Sequence, residues 1–410
     1  MSDHDDPPGS DVAGPLDGVR VVDLTSVVMG PLATRMLGDL GADVIRVEPP
    51  DGDIIRHYEP MRSEAMSAFS INLNRNKRSV VLDLRSPDGA EAVRDLIATA
   101  DVFVSTMRRS ALTRLGLDDA GVRAVRADIV YCVANGYASD GPRADHAAYD
   151  DVIQAASGVA DLFTYTGGDP QLMPSIICDK VVGLHIVPAI TAALYRRATT
   201  GRGDSIEVPM AEVMASFNLV EHLGGRTFEP PDGPFSYARI TTPHRRPRRT
   251  ADGWVVIMPY STANWTDFFE WAGRPELIED ERFSTQRARI AHSDELYGML
   301  DELVADVTTK ELLDLCERRS IPAAAVLDLE HVDDDPHFRA VDLLHEDVHP
   351  TEGPYRYTRD PIRFASRDRD GRAADTVRHH APRLGQDTEE VLRELGWSDE
   401  RIGSVTSRTR

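Results

Sequence analysis

The fold is decided by Val19-Arg20-Val21-Val22-Asp23-Leu24 and, one helical segment later, by Asp43-Val44-Ile45-Arg46-Val47-Glu48. Both stretches are short apolar runs of the kind that forms buried strands. Between them, residues 31–40 have a helical pattern that Gly41 is suited to end. The same alternation predicts further strands at 79–84, 101–104, 129–133 and 205–208, and further helices at 87–98, 118–125, 149–163, 181–197 and 211–223. This rhythm predicts an α/β fold with a parallel sheet covered by helices.

The turn after the first strand argues against a dinucleotide site. Residues 25–31 contain one glycine, Gly30, where the dinucleotide-binding fingerprint needs three. The chain has no Walker A sequence either. The sheet is therefore predicted to be doubly wound without binding NAD, FAD or ATP.

The composition excludes several classes of protein. The 41% hydrophobic and 28% charged residues are typical of a soluble globular protein. A net charge of −22 argues against general nucleic-acid binding, which needs a basic face. No apolar run is expected to span a membrane, and Cys132, Cys178 and Cys316 form neither a disulfide framework nor a zinc pattern. We therefore expect a cytoplasmic protein with no metal, nucleic-acid or membrane partner.

Composition also suggests where the chain divides. The acidic, Pro- and Gly-rich residues 1–15 predict a disordered tail. Segments rich in Pro, Gly and charge predict linkers at 224–236 and 330–350. They separate a large domain, made of 16–223 and 351–410, from a small α+β domain at 237–329.

Asp179 is the most informative single residue. It follows an apolar stretch and precedes the helix predicted at 181–197. The dipole and free N–H groups of a helix N-terminus favour negative charge. This position would keep the carboxylate ionised where water is excluded, as a nucleophile requires. Asp is also a preferred N-cap, and this segment alone favours the capping interpretation.

Seven segments together resemble the family III CoA-transferases, which include formyl-CoA transferase and carnitine CoA-transferase. The segments lie in order at 16–24, 38–49, 76–79, 112–117, 149–158, 200–203 and 382–387. Each is weak alone, but seven in order over almost the whole chain make chance an implausible explanation. The resemblance implies a Rossmann-like large domain, a smaller α+β domain inserted through two linkers, and an interlocked, ring-shaped homodimer with its active site between subunits.

The resemblance implies that Asp179 is the nucleophile of CoA transfer. Its carboxylate would attack an acyl-CoA to form a mixed anhydride, and the thiolate would return to give an aspartyl-CoA thioester. A carboxylic acid acceptor would then take the CoA. Each step passes through an oxyanion that needs N–H donors. CoA is thus a substrate, with no tightly bound cofactor, and the neighbouring Cys178 is expected to be a small packing residue rather than the nucleophile.

The resemblance also implies a set of CoA-binding residues. They are Val27, Val28, Met29, Asn76, Lys77, Arg78, Thr106, Met107, Arg108, Arg114, Tyr149 and Asp150. The first three follow the first strand at its C-terminal end, where open α/β sheets bind ligands. Asn76, Lys77 and Arg78 supply charge suited to phosphates, or else form an exposed turn. For Arg114, a surface helix charge is an equal alternative.

Other activities remain open. The related α-methylacyl-CoA racemases carry Gly-His-Asp where this chain has Ala148-Tyr149-Asp150. Racemisation needs a base on each face of the substrate, and a tyrosine with a pKa of about 10 is a poor base. Transfer is therefore favoured over racemisation, and a non-catalytic acyl-CoA-binding role is kept as a third hypothesis. Tyr149 could instead pack half-buried on its helix. The basic run 244–249 is expected to be solvated, with contact to CoA phosphate or a second carboxylate as the alternative.

Overall fold

The structure is a computed structural model, and it describes residues 14–364 and 377–406, together with the backbone of 368–369 and 372–373. The predicted disordered tail lies outside the described residues except for its last two positions.

One six-stranded sheet organises the first half of the chain. Its strands are β1 (Arg20–Leu24), β2 (Asp43–Glu48), β3 (Lys77–Val81), β4 (Val102–Ser105), β5 (Val130–Asn135) and β6 (Ser205–Pro209). Their order is β3-β2-β1-β4-β5-β6, and every neighbouring pair is parallel. This is the doubly wound order, which reverses between β1 and β4. All six predicted strands are confirmed, with ends that differ from the prediction by at most three residues.

Eight helices accompany these strands. They are α1 (Met29–Asp39), α2 (Ala68–Asn74), α3 (Pro87–Thr99), α4 (Arg109–Leu115), α5 (Asp119–Val125), α6 (Asp150–Ala156), α7 (Ile177–Thr200) and α8 (Met210–His222). The single helix predicted at 149–163 is wrong, because α6 ends at Ala156 and a separate 3-10 segment covers Ala160–Thr166. Between them Gly158 has a φ of +87°, which ends the helix. Helix α7 also begins four residues earlier than predicted.

Helices α1 and α7 pack together closely, and this contact positions Asp179. A Cβ atom at Gly183 would lie 2.8 Å from the carbonyl oxygen of Met29, so only glycine allows the two backbones to approach this far. The first turn of α7, which carries Asp179, therefore lies near the first turn of α1.

Helix α7 is long and apolar enough to cross a membrane by length and composition, which the sequence analysis had not expected. The most apolar 18-residue window of α7 has a mean hydropathy of 1.6, and 44% of this window is buried inside the protein. Core helices of globular proteins meet the same criterion, so the helix is only a weak indication of a membrane span.

The chain divides into two compact units. The first contains the residues up to Ser157, Met173–Met214 and the residues from His337 onward, and the second contains Gly158–Leu172 and Ala215–Pro336. The range predicted for the small domain, 237–329, lies within the second unit. The division falls inside α8 rather than after it.

The second unit has its own core and an antiparallel sheet. Its elements are α9 (Ala238–Thr241), β7 (Arg248–Arg249), β8 (Trp254–Ile257), α10 (Thr262–Trp271), α11 (Gln286–Ala291), α12 (Ser293–Val304), α13 (Thr309–Arg318) and β9 (Ala323–Ala325). The sheet order is β7-β8-β9. Helices α10, α12 and α13 bury Trp265, Phe268, Leu300 and Leu312 against it.

The C-terminal segment returns to the first unit. Its elements are α14 (Pro336–Ala340), β10 (Leu344–His349), β11 (Gly353–Thr358), β12 (Asp368–Arg369), β13 (Arg372–Ala373), α15 (Thr388–Glu394) and α16 (Asp399–Thr406). The Asp387 carboxylate accepts the N–H of Ser79 on the edge strand β3, and Val391, Leu392 and Trp397 join the core beside the sheet. The end of the chain thus completes the hydrophobic core of the first unit.

Candidate active site

A cavity of about 180 Å³ lies in the first unit where the strand order reverses. Loops from the C-terminal ends of β1, β4 and β5 line it, which is where open α/β sheets bind ligands. Its lining includes Ser26, Val27, Met29, Thr106, Arg108, Asn135, His146, Tyr149, Asp179 and Met210. Among the described lining residues, Asp179 is the only carboxylate.

Asp179 lies in the first turn of α7 and is 8% exposed. The residue that begins this helix is Ile176, without a side-chain cap, so the capping interpretation of Asp179 is wrong. Burial, followed by the nearby Asp150 carboxylate, raises the pKa of Asp179 to about 7. Burial thus opposes the ionised form that the helix N-terminus was expected to favour.

Asp150 supports Asp179 from the start of α6. One Asp150 oxygen accepts the backbone N–H of Asp179 at 3.0 Å, and the other accepts the Gln154 side-chain amide at 2.6 Å. Asp150 is almost completely buried, so it lies behind Asp179 rather than in the lining of the cavity. None of the ion pairs in the described part of the chain includes either carboxylate.

Cys178 and Tyr149 precede Asp179 and Asp150 directly in the sequence, and the structure shows how each is placed. Cys178 is fully buried, and burial raises the pKa of its thiol to about 12, so it is a protonated packing residue. Tyr149 is 67% exposed and lines the cavity, so it does not pack half-buried on its helix.

The turn between β1 and α1 is fixed from two sides. Val27 has a φ of +65°, a conformation that β-branched residues rarely adopt. Its N–H donates to Asp53 at 2.9 Å, and Asp53 is itself held by a salt bridge from the fully buried Arg46. On the other side, the N–H of Ser26 donates to the Thr106 hydroxyl at 2.9 Å. Asp53 is a contributor that the sequence reasoning missed.

Of the other predicted CoA-binding residues near this turn, Val28 and residues 106–108, some line the cavity and others are packed away from it. Val28 is buried and packs with Ile55 and Leu73. Met107 packs against the core beside the sheet, while its carbonyl accepts the Asn135 amide at 3.0 Å. Only Thr106 and Arg108 of the predicted run 106–108 line the cavity.

Two lining residues, Asn135 and His146, had no signal in the sequence. Asn135 ends β5, and its side-chain amide oxygen Oδ1 is buried without a hydrogen-bond partner. It therefore offers an acceptor to a ligand that donates an N–H or O–H. His146 is exposed in the loop before α6, with its ring 6.2 Å from that of Tyr137.

The structure gives no support at Asn76 and Lys77 to the expectation that residues 76–78 present positive charge to phosphates. The Lys77 amine is fully buried and donates to Asp23 at 3.3 Å and to the Pro31 carbonyl at 2.9 Å. Asn76 is buried against Asp39. Arg78 forms ion pairs with Asp43 and Glu394. Asn76 and Lys77 are buried and have hydrogen-bond partners inside the protein, so a phosphate contact has no support at either residue.

The other basic candidates lie outside the cavity lining. Arg114 is exposed in the last turn of α4. In the basic run of the second unit, Arg246 and Arg248 form ion pairs with Asp301, and the guanidinium of Arg249 lies over the Trp254 ring. Arg245 is exposed. Most of this run thus has internal partners, and no group of three or more metal-ligating side chains occurs among the residues described.

Comparison with known proteins assigns the family. The model of CoA-transferase family III matches residues 16–388. The chain is 31% identical over 399 residues to succinate–glutarate CoA-transferase of Agrobacterium fabrum, covering 93% of this chain and 96% of the relative. It is 30% identical over 400 residues to human succinyl-CoA:glutarate CoA-transferase, covering 96% and 89%.

Solved structures agree. A CAIB/BAIF family protein from Brucella suis is 30% identical, with a TM-score of 0.77 over 93% of this chain and all of that one. Rv3272 from Mycobacterium tuberculosis is similar, with an Asp-to-Ala variant at a TM-score of 0.78 and 30% identity, covering 93% and 99%. This protein belongs to CoA-transferase family III. It is a CoA-transferase with a parallel central sheet, and its substrates are CoA thioesters and carboxylates.

Proposed function

We propose that this enzyme moves CoA between an acyl-CoA and a free carboxylic acid, with Asp179 as the covalent nucleophile. The observation that carries the proposal is the position of Asp179, a buried carboxylate in the cavity at the strand-order reversal. A pKa near 7 leaves a substantial ionised fraction at neutral pH and makes the ionised form more basic, hence more nucleophilic.

The proposed reaction has four successive covalent steps. An Asp179 oxygen bonds to the thioester carbon, and the C–S bond breaks to release CoA thiolate. The thiolate attacks the aspartyl carbonyl of the anhydride and releases the first free acid. The acceptor carboxylate then attacks the aspartyl-CoA thioester, which forms a second mixed anhydride and releases CoA thiolate. The thiolate attacks the acceptor's acyl carbon in this anhydride, so the C–O bond breaks, the new acyl-CoA forms and the Asp179 carboxylate is regenerated. Covalent relay divides one difficult exchange into easier ones.

The first turn of α1 is suited to stabilise the oxyanions. This helix begins at Met29, which lines the cavity, and the first N–H groups of a helix have no partner within it. Such donors stabilise negative charge that develops in the transition state. The clamp that Asp53 and Thr106 place on the preceding turn would hold these donors in position.

The size of the cavity limits what it holds. Pockets for drug-sized ligands measure about 300–1,000 Å³, so about 180 Å³ suits the acyl group and the thioester end of CoA rather than the whole coenzyme. Thr106, Arg108 and Tyr149 are proposed to contact the part of CoA next to the thioester. Arg114 keeps its proposed contact farther along the coenzyme.

A homodimer is part of the proposal. Large apolar side chains are exposed on α7, including Leu184 and Tyr195, and on α8, including Phe217 and Val220. Exposed apolar surface of this kind marks interaction sites. Light scattering after gel filtration should give about twice the monomer mass of 45.3 kDa, and a monomer mass would remove this part of the proposal.

The test is a mass-spectrometric screen of acyl-CoA donors against a library of free acids. We expect new thioesters with wild-type protein and with the matched control Cys178→Ala, and none with Asp179→Asn. Transfer by Asp179→Asn at the wild-type rate would refute the proposed nucleophile, whereas binding of CoA without any turnover would favour a non-catalytic role.

A second candidate is exchange of an α-proton, and His146 favours it. Racemisation needs a second base besides Asp179, and His146 lines the same cavity. Incorporation of solvent deuterium at the α-carbon, without any acceptor acid, would select this activity. Loss of that incorporation in His146→Gln would assign the second base.

A further inference from the structure

The second unit contains a cavity of its own, with a volume of about 80 Å³. Its lining is rich in arginine and aromatic side chains. The lining residues relevant here are Tyr237, Arg239, Tyr260, Trp265, Arg289 and Tyr297. No acidic side chain lines this cavity within the described part of the chain.

Arg289 carries a buried charge without a carboxylate partner. It is 5% exposed, and its guanidinium donates to the carbonyl of Phe283 at 2.7 Å and to the hydroxyl of Thr262 at 3.0 Å. Both acceptors are neutral, and no ion pair in the described residues includes Arg289. Burial alone lowers the pKa of this guanidinium. A buried charge that is not compensated by an opposite charge is costly, so such charges are normally paired.

Arg239 shows the same feature at the same cavity. It is half-buried and donates to the hydroxyls of Tyr297 at 2.9 Å and Tyr237 at 3.1 Å, which are also neutral acceptors. By contrast, the buried Arg248 of this unit pairs with Asp301, and the surface residue Arg282 pairs with Asp280 and Glu295. In a chain with a net charge of −22, two arginines without carboxylate partners thus line the same cavity.

We propose that this cavity binds a small oxyanion, either the carboxylate of a small organic acid or inorganic phosphate. The planar guanidinium matches the geometry of both groups, and an anion would supply the counter-charge that Arg239 and Arg289 lack. The volume of about 80 Å³ is more than twice the ~30 Å³ share of one water in the liquid, which leaves room for such a group. Trp265 and the tyrosine rings would cover a short apolar chain on an organic acid.

The test is calorimetric titration of the full-length protein at constant ionic strength. Acetate and propionate form one arm, and inorganic phosphate forms the other. The variants are Arg239→Gln, which removes the charge, and Arg239→Lys, which keeps it. Arg282→Gln is the matched control, because it removes a paired surface arginine of the same unit. Arg239 is chosen over Arg289 because it is less buried, and circular dichroism should show each variant folded.

We expect saturable binding in at least one arm, weakened roughly tenfold or more by Arg239→Gln, which corresponds to about 1.4 kcal/mol. Arg239→Lys should retain part of the affinity, and Arg282→Gln should match the wild type. Binding that Arg239→Gln lowers only with carboxylates assigns the site to organic acids, and only with phosphate assigns it to phosphate. No binding in either arm, or binding equal in the wild type and Arg239→Gln, would overturn the proposal.

Discussion

Two groups of buried charges in the first unit behave in opposite ways. On and beside strands β1 to β3, Asp23 pairs with Lys77, and Glu48 lies against Arg46 and Arg56. Although burial opposes ionisation, Arg46 and Arg56 lower the pKa of Glu48 to about 2. At the cavity, Asp179 lies against the buried Asp150 without a cation among the described ion pairs, and burial, followed by Asp150, raises the pKa of Asp179 to about 7.

The difference separates structure from chemistry. Buried opposite charges form ion pairs that stabilise the fold, and removing one member of a pair leaves the other charge buried without a partner. Buried like charges keep a group near the pH at which it can gain or lose a proton, which is typical of reactive sites. The sequence-based interpretation had placed Lys77 at the ligand site, and the structure places it in the first group.

The largest expected effect is on catalysis by Asp179→Asn. The amide keeps the shape of the side chain but cannot form the acyl anhydride, so we expect transfer to fall by roughly 10⁴-fold or more. The matched control Cys178→Ala should stay within about threefold, because Cys178 only packs. Initial rates with a single acyl-CoA and acid pair measure both variants, and equal losses would remove the distinction between the two residues.

The next effect is on the free energy of unfolding, which we expect to fall more for a change in the paired group than for a change at Asp179. Asp23→Asn leaves the buried Lys77 amine without its counter-charge and should cost roughly 3–5 kcal/mol of unfolding free energy. Asp179→Asn removes a carboxylate that burial disfavours, so stability at pH 8 should be unchanged or higher. Urea unfolding followed by circular dichroism compares the two. A similar loss in both variants would contradict the proposed difference.

A third effect concerns pH. Because Asp179 must be ionised to attack, kcat/KM should fall about tenfold per unit as the pH drops below about 7. Since its folded pKa lies above the ordinary 3.8, the folded state binds this proton more tightly, and its contribution to stability decreases as pH rises from about 4 to about 7.

Asp150→Asn sharpens this prediction. It removes the like charge and should shift the acid limb to lower pH, by less than the whole elevation because burial is the larger cause. Rate profiles from pH 5 to 9 measure the limb. An acid limb centred near pH 4 in the wild type would contradict the raised pKa.

The smallest effect is at the clamped turn. Val27→Gly relieves a positive φ that is unfavourable for valine, so stability should be unchanged or higher than in the wild type. Val152→Gly, in the interior of α6, should lose about 1 kcal/mol because glycine disfavours helix. Thermal unfolding compares the two, and an equal loss would show that Val27 carries no strain.

Local patterns predicted much of the fold. The six strands were predictable because a short apolar run, such as Val21-Val22 or Val44-Ile45, can be recognised from neighbouring residues alone, and such runs are buried in the structure. The end of α6 was missed because Gly158 acts through its backbone conformation. The start of α7 was missed because Ile177 and Cys178 are apolar and give no starting signal.

The site was predictable only in part, since its chemistry depends on distant residues. Asp179 stood out from its neighbours, but its pKa depends on burial and on Asp150, which lies 29 positions earlier. Lys77 looked exposed because its counter-charge, Asp23, lies 54 positions away. Asn135 and His146 belong to no motif, so only the folded chain brings them to the cavity.

The most direct measurement is chemical trapping during turnover. Hydroxylamine or borohydride is added while acyl-CoA and acceptor acid react, and peptide mass mapping locates the modified residue. The account predicts modification at Asp179, dependent on acyl-CoA and absent from Asp179→Asn. Turnover with no modification at that position, or with the adduct on another residue, would contradict it.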